Sequence, residues 1–83
     1  MVEIGLARKG QESMQRHPVA STSISSIGYD FDSSTLEVEF QNGGVYLYYG
    51  VSESVYRALM SSSSKGSYVA DRIKDRFAFL RVE

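Results

Sequence analysis

Eighty-three residues with a formal net charge of −1 and 42% hydrophobic content describe one small globular domain, because chains divide only well beyond this length. The absence of cysteine excludes a disulfide framework and a thiolate metal site, and no apolar run approaches the roughly 20 residues of a membrane span. The first ten residues hold no apolar core of a secretory signal, so the expectation is a cytoplasmic protein without a membrane partner.

In chain order, Met1 to Ala20 shows no clean period. Ile4, Leu6 and Met14 are scattered among Gly5, Gly10, Gln11 and Gln15, and His17-Pro18 closes the stretch. Residues 1–20 are therefore predicted to be a flexible arm, and residues 21–83 the folded domain. From Ser23 the pattern changes. Ile27, Tyr29 and Phe31 alternate with Gly28 and Asp30, the period of a strand. A turn at Asp32-Ser33-Ser34 leads to a second strand in which Leu36, Val38 and Phe40 alternate with Glu37 and Glu39. Asn42-Gly43-Gly44 signals a hairpin, because a tight turn needs residues that tolerate positive φ, and Val45 to Tyr49 returns as the third strand.

Ser52 is placed to cap a helix, with Glu53 favourable in its first turn. Val55 and Leu59 mark its apolar side. The run Ser61-Ser62-Ser63-Ser64 breaks it, and a second helix is expected over Ser67 to Asp75, with Val69 or Tyr68 and Ile73 turned inward. Phe77, Phe79 and Arg81 alternate with Ala78, Leu80 and Val82, so the chain is predicted to end in a strand. The fold class is α+β: a small antiparallel sheet in β-β-β-α-α-β order with two helices packed on one face.

The residues Ile27-Gly28-Tyr29-Asp30, Leu36-x-Val38-x-Phe40, Gly44-x-Tyr46-x-Tyr48 and Val51, in that order and spacing, resemble the KTSC domain. Val55-Tyr56, Leu59, Ser64-Lys65-Gly66-x-Tyr68, Ile73 and Phe77-x-Phe79 continue the likeness. That family is named for a module at the C-terminus of some lysyl-tRNA synthetases and also occurs as a small stand-alone protein. The chain departs from the family pattern at Val51-Ser52, where a proline is common, at Val69-Ala70, where an asparagine is frequent, and at Phe77-Ala78. The resemblance implies the fold and, through the synthetase context, suggests RNA binding.

Catalysis is not expected. His17 is the one histidine and lies in the arm, and no nucleophile, base and oxyanion donor come together. Asp30 and Asp32 read as turn formers. Glu37 and Glu39 share a strand face with no further metal ligand, so no metal and no cofactor are predicted.

Binding candidates are better. Between Ser23 and Glu53 all five charged residues are acidic. From Ser54 to Arg81, Arg57, Lys65, Arg72, Lys74, Arg76 and Arg81 stand against Asp71 and Asp75. Lys65, Arg72, Lys74 and Arg76 are the candidate phosphate contacts on a basic helical side. Arg72 and Arg76, four apart, share a face if the helix reaches that far.

Tyr46 and Tyr48 point to one side of their strand and are the candidate base-stacking rings. The hairpin decides whether they are accessible. A two-residue turn at Asn42-Gly43 turns them outward beside Glu39 and Glu37, whereas a three-residue loop with a bulge puts them inside with Leu36 and Val38. The variable residue between the rings suits the inside register. The functional expectation is a small non-catalytic module binding tRNA-like or single-stranded RNA. The alternative is a protein-interaction module without nucleic-acid binding. An acidic sequence pI of 5.8 weighs against the first, since nucleic-acid modules are usually basic.

Overall fold

The alternation of Leu36 and Val38 with Glu37 and Glu39 sets the frame. Both apolar residues are fully buried, and the carboxylates turn to the opposite face. A computed structural model describes residues 16–83. Strands β1 (Arg16–Pro18), β2 (Ile24–Asp30), β3 (Thr35–Phe40) and β4 (Val45–Tyr48) precede helix α1 (Glu53–Ser61) and helix α2 (Lys65–Tyr68). A π-helical turn (Val69–Ile73) extends α2, and β5 (Phe79–Arg81) follows. All five strands pair antiparallel with their sequence neighbours in the order β1-β2-β3-β4-β5.

β2 does not alternate simply. Ile24 and Ile27 are three residues apart, yet both are fully buried. A bulge between Ile24 and Ser26 inserts one residue and returns both side chains to the helix face. Between β2 and β3 the Asp30 carboxylate accepts the Asp32 N–H at 3.0 Å and the Ser33 hydroxyl at 2.8 Å, the local bonding that makes aspartate a turn former.

The β3–β4 hairpin takes the three-residue loop. The Phe40 N–H donates to the Gly44 carbonyl at 2.8 Å, and the Gly43 N–H to the Phe40 carbonyl at 2.9 Å. Gly43 takes up φ +96°, a conformation that glycine reaches without a Cβ penalty. Val38 therefore faces Tyr46, and Leu36 faces Tyr48. Both tyrosines lie on the buried side of the sheet.

Ser52 caps α1 by accepting the Val55 N–H at 3.3 Å. The Arg57 Nε donates to the Glu53 carboxylate at 2.7 Å one turn apart. α1 and α2 lie on one face, where Ile27, Leu36, Val38, Leu59, Val69 and Ile73 form a single buried cluster. The start of α2 seats closely on the β1–β2 loop: a Cβ at Gly66 would stand 2.1 Å from the Ser23 Oγ. At its far end the Lys74 N–H reaches back five residues to the Val69 carbonyl, at 2.8 Å.

Two elements differ from expectation. Arg16–Pro18, assigned to the arm, pairs with β2 as an additional edge strand. It is exposed throughout and has no alternation to announce it. The helical segment runs from Lys65 to Ile73 rather than from Ser67 to Asp75. The rest of the arm, residues 1–15, lies outside the described residues. No helix among the described residues is long and apolar enough to cross a membrane.

Candidate functional site

Where the sheet extends past the helices, the buried face opens into a cleft of about 430 Å³. β3 and β4 supply one wall through Phe40, Tyr46 and Tyr48, and β5 adds Phe79. The opposite side is Val69 and Ala70 of the π-helical turn, with Lys74 and Asp75 beyond it. The rings form one continuous surface. Phe40 meets Tyr46 edge to face at 5.5 Å between centroids, Tyr46 stacks along Tyr48 at 6.3 Å, and Phe79 lies 5.8 Å from Tyr46 and 6.0 Å from Tyr48. The Arg81 guanidinium sits over the Tyr46 ring, 5.6 Å from its centroid.

The two tyrosines differ in depth. Tyr48 is 3% exposed, whereas Tyr46 is only partly covered. Burial, followed by neighbouring Tyr46 and the Asp75 carboxylate, holds the Tyr48 phenol above its usual range. It is a neutral hydrogen-bond donor at any ordinary pH.

A model of the KTSC domain family matches residues 20–77. This chain belongs to the KTSC family. It is similar to an uncharacterized protein of Stutzerimonas stutzeri strain A1501, 40% identical over 71 residues, which covers 84% of this chain and all of that one. It is 38% identical over 56 residues to a lysine–tRNA ligase of Nostoc punctiforme, covering 68% of this chain but only 10% of the ligase. Among solved structures, a KTSC domain protein from Yersinia pestis superposes with a TM-score of 0.82 at 43% identity, over 84% of this chain and 99% of that one.

Within the KTSC fold, the predicted site residues fall into separate places. Tyr46, Tyr48 and Lys74 come together in the cleft. Lys65 does not point there: its Nζ donates to the Ser62 carbonyl at 3.1 Å. It lines an adjoining hydroxyl-rich hollow that shares Ser23, Gly66 and Ala70 with the cleft. Arg72 borders a third, shallower hollow with Ser63, Ser64 and Ser67. Arg76 lies past the helix in an exposed turn. Arg72 and Arg76 are therefore not successive positions of one α-helical face, because the helix ends in a wider turn at Ile73.

Neither Asp71 nor Asp75 forms an ion pair with Arg72, Lys74 or Arg76 among the described residues, since the pairs found there involve Arg16 and Arg57. Phe79, Asn42 and Ser23 also line the cleft. Of these, only Phe79 carried a sequence signal, its place in the final alternation.

The opposite face of the KTSC sheet is polar. Arg16 approaches Glu37 at 3.6 Å and Glu39 at 3.9 Å, and Ser26 donates to Glu39 at 2.8 Å. Burial raises the Glu37 pKa. Arg16 opposes that shift, and Glu83 and Glu39 reinforce it. A carboxyl that holds its proton more tightly when folded stabilises the fold below its unfolded pKa, and that contribution is lost as pH rises through the raised value. Glu37→Gln is accordingly expected to melt higher than the parent at about pH 7, with the difference closing towards about pH 4. Thermal melts at the two pH values measure it.

Proposed function

We propose that this KTSC domain is a non-catalytic module that binds single-stranded RNA, with a base against the ring wall and phosphates on the cations at the lip. The observation that carries the reading is the pairing of the two in one cleft. Tyr46 and Phe79 offer accessible ring surface, while Lys74 stands across from them and Arg81 beside them. Bases stack on such rings with little regard to sequence, each stack worth about 1–3 kcal/mol. The acidic overall balance does not oppose this, because charges are segregated. Three of the acidic residues, Glu37, Glu39 and Glu53, are engaged with Arg16 or Arg57, whereas the cations of the cleft side have no carboxylate partner among the described residues. The similarity to part of a lysine–tRNA ligase is consistent with an RNA partner.

The test is a fluorescence-anisotropy titration of a labelled uridine-rich oligonucleotide, repeated with tRNA, at several salt concentrations. With three or four phosphate contacts on single-stranded RNA, at about −0.7 per contact, affinity should fall roughly twenty- to fiftyfold as salt rises fourfold. Replacing Lys74 and Arg76 together with alanine should flatten the logarithmic slope by about 1.4 and leave the melting temperature nearly unchanged, both side chains being exposed. Absence of binding at low salt and high micromolar protein would overturn the RNA reading and leave a protein-interaction module in its place.

A further inference from the structure

The two edges of the sheet are built differently. β1 carries Arg16 and Pro18, and a charged side chain and a proline are what keep an edge from pairing. β5 has neither proline nor glycine, and Phe79, Leu80 and Val82 are 56%, 53% and 43% exposed.

The hydrogen-bond parity of β5 is also defined. The Ala78 carbonyl accepts from Tyr49 at 2.9 Å, the Val82 N–H donates to Val45 at 2.8 Å, and Leu80 stands opposite Leu47 between them. These residues direct their backbone groups inward to β4. In an antiparallel ladder the intervening residues, Phe79 and Arg81, direct theirs outward.

We infer that β5 is a homodimer edge, and that two copies of this chain pair antiparallel through Phe79–Arg81 about a two-fold axis at Leu80. The edge is its own complement. With Leu80 facing its symmetry mate, each Phe79 faces the partner's Arg81, and that pair exchanges both backbone hydrogen bonds.

Side chains fit the same register. On the helix face an aromatic ring meets a guanidinium, repeating across the two-fold the contact that Arg81 already makes with Tyr46. On the other face Leu80 meets Leu80, and Val82 meets Ala78. A shift by one residue would set outward-directed groups against inward-directed ones and lose the ladder. A foreign strand would have to supply this alternation, whereas a second copy holds it already. Since Phe79 lines the cleft, the pairing joins two clefts edge to edge, with the partner's Arg81 at each junction.

So short an edge makes a small interface, which belongs with weak, reversible contacts. The experiment is sedimentation velocity on the full chain without RNA, so its outcome is independent of the RNA reading. The parent chain should shift from monomer to dimer between about 2 and about 300 µM, the range of a small interface. Leu80→Lys, which places like charges on the axis and removes little from the monomer core, should stay monomeric over that range with an unchanged far-ultraviolet spectrum. Because the chain has no cysteine, Leu80→Cys reports this contact alone. Facing Cα atoms about 4.5 Å apart allow a disulfide, so mild oxidation should cross-link it much faster than Ala58→Cys on exposed α1. A parent chain that stays monomeric, a dimer that survives Leu80→Lys, or equal cross-linking of the two cysteine variants would each overturn the inference.

Discussion

Leu36→Ala is expected to cost about 2–5 kcal/mol, the range for a leucine removed from a site that cannot collapse. Leu36 lies in the middle strand, with Tyr29 on one side and Tyr48 on the other. It is fully buried in the cluster that also holds Leu59 and Ile73. The sheet is held by two flanking ladders and cannot close over the void. Native domains are stable by about 5–15 kcal/mol, and a chain this small belongs at the low end. The variant should therefore be partly unfolded at 37 °C, which urea denaturation followed by circular dichroism will show. Phe40, which the alternation sets in the same row, behaves differently. It stands at the end of β3, where the helices no longer cover the sheet, and is only partly buried. Phe40→Ala should lose less stability than Leu36→Ala. Equal losses would mean that the cleft is packed shut.

The second large effect separates two neighbouring rings. Tyr48 is enclosed by core and cleft, so Tyr48→Ala should destabilise by about 3–5 kcal/mol, as truncation of a large buried ring does. Tyr46 presents a face to the cleft and supports Arg81 from the other side of the contact. Tyr46→Ala should lose less stability and lower the affinity for single-stranded RNA by roughly five- to hundredfold, the equivalent of one lost stack. Thermal melts and anisotropy on the same preparations distinguish the two. If Tyr46→Ala binds RNA as well as the parent, the ring wall is not the base site.

Most of the sheet can be read from side-chain order, because Leu36, Val38, Ile27 and Tyr29 carry their burial in a period of two. The hairpin register could not be chosen in the same way. Gly43 and Gly44 are adjacent, and either loop length places a glycine where positive φ is needed. The choice rests on the turn's backbone bonds rather than on any side chain. β1 was invisible for another reason: a three-residue polar strand is held by backbone pairing alone. The two rings and Lys74 were legible as separate candidates, but their meeting was not. Phe79 reaches Tyr46 and Tyr48 only through the last strand pairing. Grouping Arg72 with Arg76 assumed a uniform helix, and that assumption fails at a single wide turn.

That wide turn has a consequence for how the domain tolerates changes in length. Each helical residue advances about 100° around the axis, so deleting one residue between Val69 and Ile73 would restore an ordinary turn and rotate everything after it by that amount. Val69 would keep its place in the core, but the side chain presented across from Tyr46 would change. The ammonium of Lys74 and the carboxylate of Asp75 are adjacent in the chain, so a deletion that alters no charge would be enough to change which sign the cleft presents. In this domain the electrostatic character of the site is set by a count of residues as much as by their identity.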